Sequence, residues 1–506
     1  MRECDPMNYQ TGQVIEVTTT DVAHGGWCVA RPDDGPVVFV RHALPGETVL
    51  ARITEITSRL ARADAVEILK PSPDRVEPPC PHAHPGGCGG CDWQHATLPA
   101  QRSLKAAVVR QQLRRLAGVD REVTVEPLPG DEDAALTGDA ALTTATEPPG
   151  SAASPGPGLG WRTRVQFAVR QDGVAGLRAH RSHDVVDIGR CLIAHPAITD
   201  LGLPARRWPG TASVEALVSV GSGERAVVIT PGGRSGSTRS ATARSATRSA
   251  GGRTVPAART STGRPVPVAR TGAGRSVSIE GIAADSVLRR AGALTSSLTP
   301  LRGRSYLSQH AAGRDWRVSA GAFWQVHPAA ADILTGAVMT GLRPEAGDTA
   351  LDLYCGAGLF TGALAQAVGP GGTVIGVEGD SAAVRDARHN LREWPWARVH
   401  KGDVATVLAR GGHRGAQQGT VPQARLVVAD PPRSGLAREV VDYLGTAENG
   451  AVRFAYVSCD PATLARDVGL LIARGWALED LRGFDAFPMT HHVECVAILV
   501  AGTQGT

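Results

Sequence analysis

L-D-L-Y-C-G-A-G-L-F-T-G, Leu351 to Gly362, leaves a short apolar run, turns on glycines and opens into a helical pattern. Gly356 and Gly358 let the backbone turn tightly and approach a ligand, and Glu378 ends the next apolar run, twenty residues beyond Gly358. An acidic side chain there is placed to accept hydrogen bonds from ribose hydroxyls, so the loop implies a nucleotide-bearing cofactor. Alone, the loop leaves a dinucleotide and S-adenosylmethionine equally open.

The surrounding text sets the fold class. T-A-L-D-L-Y, T-V-I-G-V-E, R-L-V-V-A-D and V-R-F-A-Y-V-S-C have the length and apolar character of buried parallel strands, separated by helix-sized stretches. From about Val318 onward this predicts a doubly wound α/β domain. V-A-D-P-P-R places Asp430 just past a strand end, on a loop stiffened by two prolines. Nucleic-acid base methyltransferases carry such a D/N-P-P motif there; taken singly, it also reads as an ordinary strand-to-helix turn.

Y-V-S-C-D-P-A-T-L-A-R-D puts Cys459 before a helix that Asp460 can cap, with Pro461 at the first position. The positive end of a helix lowers a thiol pKa from its usual 8.5 or so, so Cys459 is expected to be an activated nucleophile rather than a buried small apolar residue. Glu494 opens the last apolar strand, where a buried carboxylate would have a raised pKa and serve as a general base, or else be a rim charge.

Upstream, residues from about Thr11 to Pro71 alternate apolar and polar with glycine turns, as in G-Q-V-I-E-V and P-V-V-F-V-R, which predicts a small antiparallel barrel. Its spacing resembles the TRAM domain, an OB-like barrel, which implies RNA binding. An amphipathic helix follows around L-P-A-Q-R-S-L-K-A-A-V-V-R. Residues 130–160 and 231–279 read as flexible insertions, the second with nine arginines and no acidic residue. The formal net charge of +4 therefore conceals a net acidic remainder.

Nine cysteines without an export signal are metal ligands or catalysts before they are disulfides. Cys80-x7-Cys88-x2-Cys91, with the distant Cys191, offers four thiolates suited to zinc or to an iron–sulfur cluster, and spacing alone does not choose. No apolar run is long enough to cross a bilayer, and the first residues lack a secretory layout, so a cytoplasmic protein without membrane contact is expected.

S-A-G-A-F-W-Q-V-H, D-L-Y-C-G-A-G-L-F, G-V-E, A-D-P-P-R, V-S-C-D-P-A-T-L-A-R-D and F-P-M-T-H-H-V-E, in this order, together resemble the RNA uracil-5-methyltransferase family. The resemblance implies that Cys459 adds to uracil carbon 6, that carbon 5 then takes the methyl group of S-adenosylmethionine, and that Glu494 removes the carbon 5 proton. It also implies that Gln325, Tyr354, Gly356, Gly358, Glu378, Asp403 and Asp430 bind the cofactor. Leu359 departs from the small polar residue many members carry, so that position brings no cofactor contact. G-G-C-G-G-C-D-W-Q-H and V-V-D-I-G-R-C resemble members with a [4Fe-4S] cluster, which would assign Cys80, Cys88, Cys91 and Cys191 as its ligands.

The expected architecture is multidomain α/β. It comprises a TRAM-like barrel over residues 8–72, a central α+β domain with the cysteine cluster over 73–317, and a Rossmann-like methyltransferase over 318–506. The expected partner is RNA, with 23S ribosomal RNA preferred and transfer RNA the alternative, and no obligate protein partner is evident. Two other readings are a non-catalytic RNA-binding assembly factor and an amino-group methyltransferase; the latter would not need Cys459.

Overall fold

The computed structural model describes residues 9–32, 35–131, 155–232, 268–270, 276–291, 298–411, 423–446 and 450–502. Strands β1 (Val14–Ala23), β2 (Trp27–Ala30), β3 (Val37–Arg41), β4 (Thr48–Ile56) and β5 (Leu60–Lys70) close into the expected barrel in the order β1-β2-β3-β5-β4. Alternation sends Val38 and Val40, Val49, Ala51 and Ile53, and Ala61 and Ala63 inward as its core. Buried Glu47 fastens the chain leaving the barrel, accepting from Arg75 Nε and Nη2 at 2.5 and 2.7 Å and from Ser72 N at 3.0 Å.

Helix α1 (Leu98–Gln112) starts at the Thr97 cap, where Oγ1 accepts from Ala100 N. Its Lys105 is fully buried and donates to Asp485 Oδ1 at 2.5 Å and to the Phe487 carbonyl at 3.0 Å. The next strand, β6 (Val125–Pro127), joins the edge of the C-terminal sheet.

The central region is built on β7 (Arg164–Val169), β8 (Ala175–Arg178), β9 (Val185–Val186), the single-turn α2 (Pro196–Thr199), β10 (Thr211–Val218) and β11 (Arg225–Pro231). The pair β12 (Val268–Arg270) and β13 (Ser276–Ser278) follows, then β14 (Ser286–Arg290) and β15 (Leu298–Arg302). Its seven-stranded sheet runs β15-β14-β11-β10-β7-β8-β9. The expectation of flexibility through residue 279 fails at its end, because Val277 and Ile279 alternate with polar neighbours and are buried in the core of this sheet. Residues 132–154 and 233–267, which make up most of the two expected insertions, lie outside the described residues.

The hairpin β16 (Tyr306–Ala311) and β17 (Arg314–Ser319) leads into α3 (Ala330–Leu342). The doubly wound unit follows: β18 (Thr349–Leu353), α4 (Leu359–Val368), β19 (Thr373–Glu378), α5 (Ser381–Asn390), β20 (Ala397–Lys401), α6 (Val404–Gly411), β21 (Leu426–Ala429), α7 (Arg438–Leu444), β22 (Arg453–Ser458), α8 (Pro461–Ile472), β23 (Trp476–Asp485) and β24 (Glu494–Ala501). The sheet order is β20-β19-β18-β21-β22-β24-β23-β6. Strands β18 to β22 are parallel, and β24 runs antiparallel to β22 and β23. Apolar layers bury both faces, so the strands are near-continuous hydrophobic runs. The strand order reverses between β18 and β21, the place where open α/β sheets bind ligands at the carboxyl ends of their strands.

Candidate active site

The loop after β18 is shaped by three alternate positions of positive φ, Tyr354 at 65°, Gly356 at 55° and Gly358 at 95°. A Cβ on Gly356 would meet nothing within 4 Å, so that glycine serves backbone conformation and access, not packing. Glu378, at the end of β19, braces the loop: Oε2 accepts from Gly356 N at 2.9 Å and Oε1 from Asp380 N at 2.7 Å. Beneath it Asp352 is fully buried, accepts from Thr361 Oγ1 at 2.6 Å, and is pushed by burial up to about 7.

Asp403 and Asp430 follow the parallel strands β20 and β21, whose carboxyl ends lie on the same sheet edge as this loop. Asp403 follows β20, is exposed, and accepts from Thr406 N and Oγ1 at 2.9 and 2.8 Å, which holds its carboxyl below the usual range. Asp430 follows β21 and is pushed up to about 7 by burial. Gln325 lies on the loop after β17, which is pinned on both sides by the start of β7 and the residue before it: Arg164 Nη1 donates to the Ala322 carbonyl at 2.6 Å, and Thr163 N and Oγ1 donate to the Val326 carbonyl at 2.9 and 2.8 Å. Phe323, between the two pins, is two-thirds exposed.

Cys459 stands one residue past β22. Asp460 Oδ1 accepts from Ala462 N at 3.0 Å and Thr463 N at 2.8 Å, and Pro461 takes the first helical position, so the expected cap of α8 is present. Ser458 pairs with Cys495 on β24, which brings Glu494 alongside Cys459 at the same sheet end. Burial and the nearby Asp430 push the Glu494 carboxyl well above its usual range.

The expected depression of the Cys459 pKa is overturned. Burial first, then Glu494 and Asp430, push the thiol up to about 11, with Arg433 opposing them. The helix end is outweighed by burial first and then by two carboxylates from other strands that face the same sulfur.

Arg433 is the cation on this side of the site, and the sequence reading gave it no role although it ends the quoted D-P-P-R. Its Nη2 lies 3.2 Å from His492 Nε2. His492 is driven by burial down to about 3, so its neutral ring accepts from the guanidinium.

The four expected cluster cysteines line one cavity of about 470 Å³. The loop carrying Cys80, Cys88 and Cys91 reaches the central sheet because its glycines leave room: a Cβ on Gly89 would stand 2.6 Å from His180 N and Cα. Gly89 N donates to the Arg178 carbonyl at 3.0 Å, and Cys88 bridges Ala179. All four thiols are free, and burial raises each pKa. Among the described residues, no three His, Cys, Asp or Glu side chains form a group that could hold a single metal ion. No helix among them is long and apolar enough to cross a membrane.

The doubly wound sheet, its glycine loop at the strand reversal and the acidic residue ending β19 form a nucleotide-cofactor crevice, and the similarities that follow make the unit a methyltransferase that uses S-adenosylmethionine. A family model described as TRAM domain matches residues 9–66, one described as tRNA (Uracil-5-)-methyltransferase matches 419–501, and one described as protein-L-isoaspartate(D-aspartate) O-methyltransferase matches 321–428. An uncharacterized RNA methyltransferase of Streptomyces coelicolor is 46% identical over 501 residues, covering 98% of this chain and 94% of the relative. One from Bifidobacterium longum is 32% identical over 504 residues, covering 97% of each. The fold is shared with the Pyrococcus abyssi tRNA (uracil-54, C5)-methyltransferase, solved with S-adenosyl-L-homocysteine, at a TM-score of 0.61 and 20% identity over 96% of this chain and 100% of that one. The chain belongs to the RNA methyltransferases, with a C-terminal domain like that of the tRNA (uracil-5-)-methyltransferases.

Proposed function

We propose that this enzyme methylates carbon 5 of a uridine in cytoplasmic RNA, with 23S ribosomal RNA as the preferred substrate, through a covalent adduct on Cys459. The observation that carries the reading is the convergence of Cys459, Glu494 and Asp430 at one end of the cofactor crevice. S-adenosylmethionine supplies an electrophilic methyl group. Carbon 5 of uracil is a weak nucleophile, so the Cys459 thiolate first adds to carbon 6 and the ring becomes an enolate. Carbon 5 attacks the methyl group; Glu494 then takes the carbon 5 proton, the sulfur–carbon bond breaks, and the thiolate is restored.

A thiol held near 11 is almost wholly protonated at neutral pH, so attack requires a base and a cation close to the sulfur. Arg433 is the adjacent cation; the base for this step is solvent water, so that the Glu494 carboxylate is still free to take the carbon 5 proton after methyl transfer. Gln325, Tyr354, Gly356, Gly358, Glu378, Asp403 and Asp430 are proposed to seat the cofactor, with Glu378 retaining lone pairs for ribose hydroxyls beyond the two backbone donors it already accepts. The target base has to leave its stack to reach a half-buried thiol, at a cost of a few kcal/mol that is smallest in loops.

Cys80, Cys88, Cys91 and Cys191 are proposed to hold a [4Fe-4S] cluster with a structural role. The four thiols line one cavity, and the resemblance of their sequence blocks to cluster-bearing family members favours a multi-iron body over a single zinc ion. The barrel and cluster favour ribosomal RNA, by resemblance to family members that act on it. The printed substrate of the Pyrococcus abyssi enzyme keeps transfer RNA as the second reading.

The test uses ribosomal or transfer RNA tritiated at uracil carbon 5, with wild type and Cys459→Ala. Tritium release from one RNA class, absent in the variant, establishes mechanism and substrate class together. No release from either overturns the proposal.

A further inference from the structure

The barrel touches the catalytic helix directly. The turn joining β1 to β2 projects His24 toward the start of α8, where its Nε2 lies 3.3 Å from Asp460 Oδ2. Asp460 divides its carboxylate: Oδ1 caps the helix by accepting from Ala462 N and Thr463 N, and Oδ2 meets the barrel. Although burial would raise this carboxyl, the contact with His24 and the cap donors hold it near 2.

The turn is fixed by packing and not by this contact alone. Gly26, at φ +80°, is so closely seated that a Cβ there would stand 3.0 Å from His491 Cβ and 3.2 Å from Asp92 Cβ. Its carbonyl accepts from the Trp93 indole at 3.3 Å. Asp92 is itself held to the segment before β24, since Asp92 N and Trp93 N both donate to the Met489 carbonyl at 3.0 Å and Asp92 Oδ2 lies 2.6 Å from His491 Nδ1. The barrel turn is thus wedged between the cysteine-rich loop and the Glu494 segment, and His24 is the side chain it presents to the residue after Cys459.

We infer that His24 is a positioning residue for the Cys459 thiol, through which the barrel sets the geometry of the nucleophile as well as meeting RNA. The inference rests on the reading of Cys459 as the nucleophile. The physical basis is preorganisation: Asp460 has its side-chain conformation fixed from both oxygens, so the backbone between the end of β22 and the first turn of α8 has one arrangement, and Sγ follows it. Without His24, the Asp460 carboxylate is free to turn toward solvent, and the two cap donors no longer hold a unique rotamer.

The test compares full-length wild type, His24→Ala and His24→Gln; glutamine places a neutral donor at about the reach of histidine Nε2. Three quantities are measured: kcat and KM for RNA and for S-adenosylmethionine, the rate at which iodoacetamide alkylates Cys459 without RNA, read by mass spectrometry of its peptide, and the melting temperature. For His24→Ala we expect kcat about tenfold lower, both KM values within about twofold, and an alkylation rate changed by about threefold or more, with the fold retained. His24→Gln restores kcat and alkylation to near wild type. A rise in KM for RNA with kcat and alkylation unchanged would make His24 an RNA contact and overturn the inference, as would an alanine variant equal to wild type. If wild type itself methylates no uridine, the functional reading fails, while the alkylation comparison still judges the contact.

Discussion

Ser458 and Cys495 are partners across the antiparallel β22–β24 ladder, so the next residue on one strand, Cys459, and the preceding residue on the other, Glu494, share the same sheet end. Residues opposite each other on a ladder project to the same face, which makes this register the source of the proposed thiol and carboxylate pairing. Removing the carboxylate while keeping its shape separates the two halves of the reaction. Glu494→Gln is expected to form the carbon 6 adduct and stall before release. A denaturation-resistant enzyme–RNA band that is carried by this variant and lost in Glu494→Gln/Cys459→Ala would demonstrate it.

Cys459 in the free enzyme should be a sluggish thiol. Its alkylation rate is expected to climb with pH toward a midpoint near 11. Arg433→Gln, which removes the opposing cation, should slow alkylation at pH 8 by about tenfold, one pKa unit. An unchanged rate would remove Arg433 from the thiol's environment.

Asp352 links the cofactor loop to pH. Its folded-state pKa, raised to about 7 by burial, lies above the unfolded value of about 3.9, so the folded state binds the proton more tightly. The stability this confers is full below about pH 4 and is lost as pH rises through about 7. Asp352→Asn should therefore melt higher than wild type at pH 8, by a gain on the order of 2 kcal/mol, and show a shallower fall from pH 4 to 7. Parallel curves for the two proteins would contradict it.

Lys105 and Asp485 form a buried pair whose partners are far apart in sequence. Lys105→Met strands the carboxylate and should cost about 3–5 kcal/mol, measured as a lower melting temperature. Lys105→Met/Asp485→Leu should recover most of that loss, because the uncompensated charge is gone.

Gly89→Ala tests the cluster without touching a thiol. Its Cβ would press on the His180 backbone and open the contact between the cysteine loop and β8. Protein purified anaerobically is expected to carry iron and sulfide as wild type and to lose most of both in this variant. Equal iron in the two would show that the loop seals the cavity differently.

Much of this architecture was legible because its signals are local. Apolar alternation disclosed the barrel through residues such as Val38 and Val40, and the glycines after Leu353 and the D-P-P motif marked the crevice. What escaped depends on tertiary proximity. The Cys459 pKa went the wrong way because burial by the packed strands, and then the carboxylates following β21 and opening β24, oppose ionisation, and neither belongs to its own helix. Val277 and Ile279 were lost in an arginine-rich, serine-rich context, though their period of two points to one face. Strand β6 has only three residues, too few for any alternation to register, and its place is set by Gly483, Phe484 and Asp485 on β23. His24 carries no signal beyond a glycine-flanked turn.

The strand β6 changes where the methyltransferase can be said to begin. It pairs in parallel with β23, and Arg482 holds Glu126 through two bonds of 2.9 and 2.8 Å, while α1 sends Lys105 into the same layer. The segment from Leu98 to Pro127 is therefore part of the C-terminal sheet's own fold, and the central seven-stranded sheet is inserted within that fold instead of preceding it. A fragment cut at Val318 would leave the β23 backbone open to a second chain and Asp485 without its cation. The sheet that carries the cofactor crevice is thus assembled from two stretches of chain that are discontinuous in sequence.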